Sequence, residues 1–291
     1  MTLDDHRRAY AEKIASAAGL TTPGLQEAFA AVPREAFLPP GPWLVVGEGQ
    51  QPRQTPDADP RHVYENVSVA IDPARQLFNG APAFLARMID RLAPGAGSRV
   101  LHIGAGLGYY SAVIAHVVGS TGAVVATEVD DTLAAAARVN LASLPWVSVE
   151  RSDGQGVPTV ARRAEVGSFD AILVNTGVTH PLDVWLDALA PRGRLLLPLT
   201  VALPGMGSLG KGVVVVIARM LDGAGFSAEV LSFVAIYSAI GLRDSGIEAS
   251  LGQALRRTSF PNLTRVRRDR HDSTPDCWLH GDTFCLSMAQ V

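Results

Sequence analysis

The chain has 291 residues, enough for one large α/β domain with additions or for two small domains. A formal charge of -3 and an apolar content of 47% exclude the strongly basic surfaces that hold nucleic acid or an anionic membrane. The most apolar stretch, 212–220, is too short to span a bilayer, and the first residues carry no apolar signal segment, so the expected compartment is the cytoplasm.

Taken from the start, residues 4–38 read as Ala-rich amphipathic helices broken at Thr22-Pro23-Gly24. Residues 39–62, with many Pro, Gly and Gln, read as an extended loop, and 63–71 alternate as a strand with Val67, Val69 and Ile71 on one face. A helix over 82–92 presents Phe84, Leu85, Met88, Ile89 and Leu92 as its apolar face. Strands near 99–103, 123–127, 147–150, 170–175 and 193–199 then alternate with helices near 109–118, 131–142 and 182–190. This alternation predicts an α/β protein with a Rossmann-like, doubly wound, mostly parallel sheet. Segments 212–221 and 226–236 read as two further strands, followed by a helix near 246–257, an Arg-rich piece and a strand over 283–288. The implied organisation is an N-terminal helical and loop segment over 1–78, a cofactor-binding core over 79–236 and a C-terminal extension over 237–291.

The centre of the pattern is a strand ending in His102-Ile103, followed by Gly104, Gly106 and Gly108 and a helix that opens at Tyr109. Glycines at a strand-to-helix turn let a ligand approach the backbone where no Cβ stands in the way. The next strand ends on Glu128, about 20 residues on, where a carboxylate suits a ribose diol. Two ligand classes use this arrangement. A dinucleotide favours G-x-G-x-x-G, but Tyr109 occupies the third glycine position here. The G-x-G-x-G form instead suits S-adenosylmethionine, which has no phosphate to cradle, although His102 stands where an acidic residue is usual.

Further residues carry a resemblance. Asp153-Gly154 follows the strand at 147–150, and 169–175 end on Asn175. Upstream stand Phe29-Ala-Ala-Val-Pro-Arg-Glu-Ala-Phe37, then Val63-Tyr64-Glu65-Asn66, then Gln76-Leu-Phe-Asn-Gly-Ala-Pro82. In this order the segments resemble the protein-L-isoaspartate O-methyltransferases, over roughly residues 25–200. The resemblance implies a class I methyltransferase fold, S-adenosylmethionine as cofactor and O-methylation of a carboxylate in a peptide or peptide-like product. It further implies that Gly104, Gly106, Gly108, Glu128, Asp153, Gly154 and Asn175 bind the cofactor, with His102 and Tyr109 near its methionine end. Asn79 stands where the family has a substrate-facing serine, the loop is one residue longer, and the chain continues beyond the core.

Asn79 can donate its amide to a substrate carboxylate, although Asn-Gly is also a strong turn pair. A carboxylate needs no general base; were the acceptor a hydroxyl or an amine, His180 is the residue to serve as one. A nicotinamide-dependent oxidoreductase and a non-catalytic cofactor-binding scaffold are the competing classes. Cys277 and Cys285 read as reduced packing residues, and their irregular spacing to His271 and His280 predicts no metal site. The Arg-rich piece around Arg265, Arg267, Arg268 and Arg270 reads as solvated surface.

Overall fold

The computed structural model describes residues 2–152, 169–205, 208–221, 223 and 225–289. In chain order the first elements are α1 (Leu3–Ala18), α2 (Leu25–Ala31), β1 (Leu44–Gly47), β2 (Arg53–Gln54), β3 (Val67–Asp72), β4 (Leu77–Asn79) and α3 (Pro82–Leu92). Then come β5 (Arg99–Ile103), α4 (Tyr109–Val118), β6 (Ala123–Glu128), α5 (Asp131–Asn140), β7 (Val147–Arg151), β8 (Phe169–Val174) and α6 (Asp183–Ala188). The last are β9 (Leu189–Ala202), β10 (Leu209–Arg219), β11 (Phe226–Tyr237), α7 (Ser245–Arg257), β12 (Arg265–Arg267), β13 (Cys277–His280) and β14 (Cys285–Ser287). None of the helices among the described residues is long and apolar enough to cross a membrane.

The chain forms two compact units, Met1–Ser98 with Ala105–Glu150, and Arg99–Gly104 with Arg151–Val291. The boundary expected at residue 79 falls inside the first unit, because β4 pairs with β3 through Val69 and Asn79. The boundary expected at 237 falls inside the second, where β11 pairs with β12.

In the first unit, α1 starts on a capping box between Thr2 and Asp5 and stops at Gly19. Its Tyr10, Ala11, Ile14 and Ala18 form the buried stripe, and Leu25, Ala28 and Phe29 do the same for α2. A small antiparallel sheet runs β2-β1-β3-β4. Its β1 and β2 lie in the stretch expected to be loop, since β1 pairs Val45 with Val69 of β3. Strands this short show no alternation to read. The strand expected from residue 63 begins only at Val67, because Asp59 caps a 3-10 turn over Pro60–Val63. α3 opens on Pro82 and buries Leu85, Met88, Ile89 and Leu92.

In the second unit the strand order is β13-β14-β12-β11-β10-β9-β8-β5. β5, β8 and β9 pair in parallel, as the βα alternation predicts. From β9 onward every neighbour is antiparallel. The short connections after β9 and β10 allow only hairpins, whereas a parallel return needs a long crossover. The Arg-rich piece contains a strand, β12, with Val266 buried between Arg265 and Arg267. Arg268 pairs with Asp183 at 3.1 Å and Asp187 at 2.5 Å in exposed ion pairs, so that cluster is solvated surface, as expected.

β5 is buried along Val100–Ile103, and His102 within it has 0% of its surface exposed. Burial lowers its pKa to about 4, so the folded protein holds the imidazole neutral. An unfolded histidine takes up its proton near pH 6.5, before the folded one does. Stability is therefore present in full above about pH 6.5 and falls as the pH drops toward 4. A His102→Asn variant is expected to lack this part of the acid loss, seen as a stability gap to the parent that narrows between pH 7 and pH 4.5 in urea denaturation. Parallel profiles would contradict it.

Candidate active site

The glycine turn is built as the sequence implies. Gly104 has φ +79°, and a Cβ there would lie 3.3 Å from the carbonyl oxygen of Asn175. Gly108 has φ +93°, opens α4, and a Cβ there would lie 2.8 Å from Leu141 Cδ1. Side chains are excluded at both positions by backbone and by packing.

In the first unit, Glu128 ends β6 and is 8% exposed. Its carboxylate accepts from the backbone N–H of Gly106 at 2.8 Å, of Val129 at 2.9 Å and of Asp130 at 3.1 Å. A carboxylate has about four acceptor positions, so one remains for a ribose hydroxyl. Glu128 thus also ties the glycine turn to the end of its own strand.

Asn79 ends β4. Its Oδ1 accepts from Arg34 Nη2 at 3.0 Å and Nε at 3.3 Å. Arg34 is 0% exposed and also donates to the carbonyls of Val63 at 2.9 Å, Glu65 at 3.3 Å, Val67 at 2.7 Å and Gly80 at 3.4 Å. With its oxygen engaged, Asn79 offers its NH2 group as the available donor. Tyr110 donates to the Gly80 carbonyl. In the sequence Arg34 stood only as part of the Val-Pro-Arg segment that carries the resemblance, with no role of its own.

Tyr109 is in a different position from the one expected. It is 0% exposed, its hydroxyl is 3.1 Å from that of Tyr10, and its ring packs on Phe29, Phe37 and Tyr110. The first turn of α4 points it into the aromatic core beside α1 and α2, where it has no surface to give a ligand. His102 is likewise wholly buried.

In the second unit, Asn175 follows β8. Its backbone N–H donates to Ile103 at 2.8 Å, and its amide donates to the Gly104 carbonyl at 3.4 Å. The loop beyond it is held by the C-terminal extension. Thr176 Oγ1 donates to the Tyr237 carbonyl at 2.9 Å, and Arg243 donates to the Gly177 carbonyl at 2.9 Å and the Thr200 carbonyl at 2.8 Å. The Thr179 hydroxyl accepts from the Asp244 N–H at 3.1 Å and lies 2.8 Å from His180 Nδ1. Thr179 is 0% exposed, so its O–H needs an acceptor, and Nδ1 supplies one. The His180 proton is thereby assigned to Nε2. Burial lowers the pKa of His180 against the opposing pull of Asp244 and Asp183. Its ring stacks on Phe284, 5.5 Å between centroids. Asp153 and Gly154 lie outside the described residues.

The two cysteines lie beside the two histidines in space. Both cysteines are buried and free, as expected of reduced packing residues. Ligand atoms of His271, Cys277, His280 and Cys285 all lie within 4.8 Å of one another.

A parallel β5/β8/β9 core, a glycine turn and an acidic residue ending β6 are each features of class I S-adenosylmethionine-dependent methyltransferases, and dinucleotide-binding folds share them. Comparison with known proteins narrows this. The family model "Protein-L-isoaspartate(D-aspartate) O-methyltransferase (PCMT)" matches residues 51–205. A Methylorubrum extorquens protein-L-isoaspartate O-methyltransferase is 34% identical over 184 residues, covering 63% of this chain and 69% of that protein. A Methanoregula boonei protein of the same name is 29% identical over 237 residues, covering 81% of this chain and 94% of that one. A solved protein-L-isoaspartate O-methyltransferase superposes with a TM-score of 0.63 at 22% identity, over 90% of this chain and 73% of its own. A putative Plasmodium falciparum one, in complex with S-adenosyl-L-homocysteine, gives a TM-score of 0.59 at 18% identity, over 80% of this chain and 98% of its own. The chain belongs to the protein-L-isoaspartate(D-aspartate) O-methyltransferase family.

It is an S-adenosylmethionine-dependent O-methyltransferase, and the nicotinamide and scaffold readings fall away. The residues present fit the cofactor: the glycines exclude side chains, and Glu128 keeps one acceptor position for the ribose. When bound, S-adenosylmethionine supplies an electrophilic methyl on a sulfonium, and the acceptor is a carboxylate oxygen.

Proposed function

We infer that the acceptor carboxylate belongs to a peptide and that Asn79 orients it. The carrying observation is the pairing of Asn79 Oδ1 with the buried Arg34, which leaves the amide N–H groups as donors. Donors suit an anion and repel a cation. The chain's task is then to hold a carboxylate oxygen in line with the methyl, since a carboxylate is ionised at neutral pH and no proton has to move. His180 supports the same reading. With Nδ1 taken by Thr179, its remaining group is an Nε2–H donor rather than a basic lone pair.

The substrate is proposed to be a particular peptide rather than any short isoaspartyl sequence. Asn79 replaces the family's serine, and the extension through Tyr237, Arg243 and Asp244 shapes the loop after β8. The relatives named above are called isoaspartate methyltransferases, so a short isoaspartyl peptide is the reference substrate, expected to react slowly. Methylation of it at a rate fit for general repair would overturn this specificity.

The roles separate by mutation. Asn79→Ala is expected to lower kcat/KM by about 10-fold or more, the worth of a hydrogen bond to a charged group. His180→Ala is expected to cost less than about 10-fold, against the 10²–10⁴ typical of a lost acid–base residue. Because burial lowers the His180 pKa, a basic role would make the rate climb with pH below its ordinary value of 6.5. The expected profile is flat there. A climbing rate that His180→Ala abolishes, with a large loss of kcat, would assign a hydroxyl or amine acceptor.

A further inference from the structure

The C-terminal extension holds a cluster that the methyl-transfer reading does not use. β13 and β14 form an antiparallel hairpin with His280 opposite Cys285 and Cys277 opposite Ser287. Residues three apart on a regular strand face opposite sides, which would separate Cys277 from His280. The register shifts between Cys277 and Leu279, and this bulge brings both side chains to the same side. The loop after β12 adds His271, whose Nε2 is 3.5 Å from Cys277 Sγ. Cys277 and Cys285 sulfurs are 2.9 Å apart.

We propose that His271, Cys277, His280 and Cys285 bind one Zn²⁺ ion in a closed tetrahedral site that staples the β13–β14 hairpin to the loop preceding it. Zinc–sulfur bonds of about 2.3 Å and zinc–nitrogen bonds of about 2.0–2.1 Å set ligand atoms roughly 3.3–3.8 Å apart. The four ligand atoms, all within 4.8 Å, reach that arrangement by small side-chain shifts.

The surroundings match a metal site in three respects. His271 Nδ1 lies 2.8 Å from the Asp269 carbonyl; donating its N–H there leaves the Nε2 lone pair facing Cys277. Metal-bound histidines are oriented in this way. The backbone N–H of Thr274 donates to Cys277 Sγ at 3.5 Å, a bond that steadies a thiolate. His280 Nδ1 is buried with no hydrogen-bond partner among the described residues, a cost that coordination would remove.

Two thiols and two neutral imidazoles bind the ion with release of two thiol protons, so the site carries no net charge. All four positions are taken by protein, which leaves none for water or substrate. The site is therefore structural. Its hairpin also carries Phe284, the residue stacked on His180, so the staple helps to hold a wall of the loop after β8.

The test is metal content and spectroscopy on the full chain, independent of any activity. Protein purified under reducing conditions with zinc, then dialysed against metal-free buffer, is expected to retain close to one zinc per chain. Exchange with Co²⁺ is expected to give the intense visible bands of tetrahedral cobalt and a thiolate charge-transfer band. The C285S and H271Q variants are expected to lose the tightly held metal. If these variants do not fold, the parent's zinc content and cobalt spectrum decide alone. No retained zinc, a faint octahedral cobalt spectrum, a Cys277–Cys285 disulfide in reductant-purified protein, or zinc retained fully by a folded C277S/C285S double variant would overturn the proposal.

Discussion

Replacing Arg34 with methionine is expected to lower folding stability by about 3–5 kcal/mol. The guanidinium is 0% exposed and donates to four backbone carbonyls and to Asn79. Methionine fills much of the volume but donates nothing. Each buried carbonyl left without a partner costs about 1–3 kcal/mol, and the bonds to Val63 and Val67 are buried. The guanidinium also sits over the Tyr109 ring, 5.8 Å from its centroid, so the aromatic core beneath α1 and α2 loses a contact. Urea denaturation measures the loss. The same variant frees the Asn79 amide to rotate, so KM for the peptide is expected to rise more than the affinity for S-adenosylhomocysteine falls. A stability loss below about 1 kcal/mol would show that the carbonyls find other donors and that Arg34 does not organise this region.

Glu128→Ala is expected to weaken S-adenosylhomocysteine binding by about 1–3 kcal/mol, or roughly 5- to 150-fold. Two effects add. The ribose loses a charged acceptor, and the Gly106 N–H, held at 2.8 Å by the same carboxylate, loses its anchor. Glu128→Gln separates them, because its amide oxygen can still accept from Gly106 while the charge is gone. The glutamine variant should lie between parent and alanine. Calorimetric titration reads all three. Equal affinity in parent and Glu128→Ala would remove the ribose assignment.

The central strand, turn and helix were legible because each is announced locally. An apolar run marks β5, alternate glycines mark the turn, and the small-residue helix α4 follows at once. β1, β12 and β13 were not legible, because three- or four-residue strands carry no readable period and exist through the partners they pair with. The roles of Arg34 and Tyr109 were hidden for a related reason. Their surroundings are assembled from α1, α2 and β3, far away in sequence. The His/Cys cluster escaped because a bulge in β13 brings Cys277 and His280 to one side, which spacing alone does not disclose.

The most direct test of the account is the chemical fate of the transferred methyl. Enzyme, S-adenosylmethionine and a carboxylate-bearing peptide are incubated, and the product is analysed by mass spectrometry before and after mild alkali. The expected product is one methyl heavier and reverts to the starting peptide in base with release of methanol, as a carboxyl methyl ester must. A methylated product that survives the alkali would place the methyl on an ether or an amine and contradict a carboxylate acceptor oriented by Asn79.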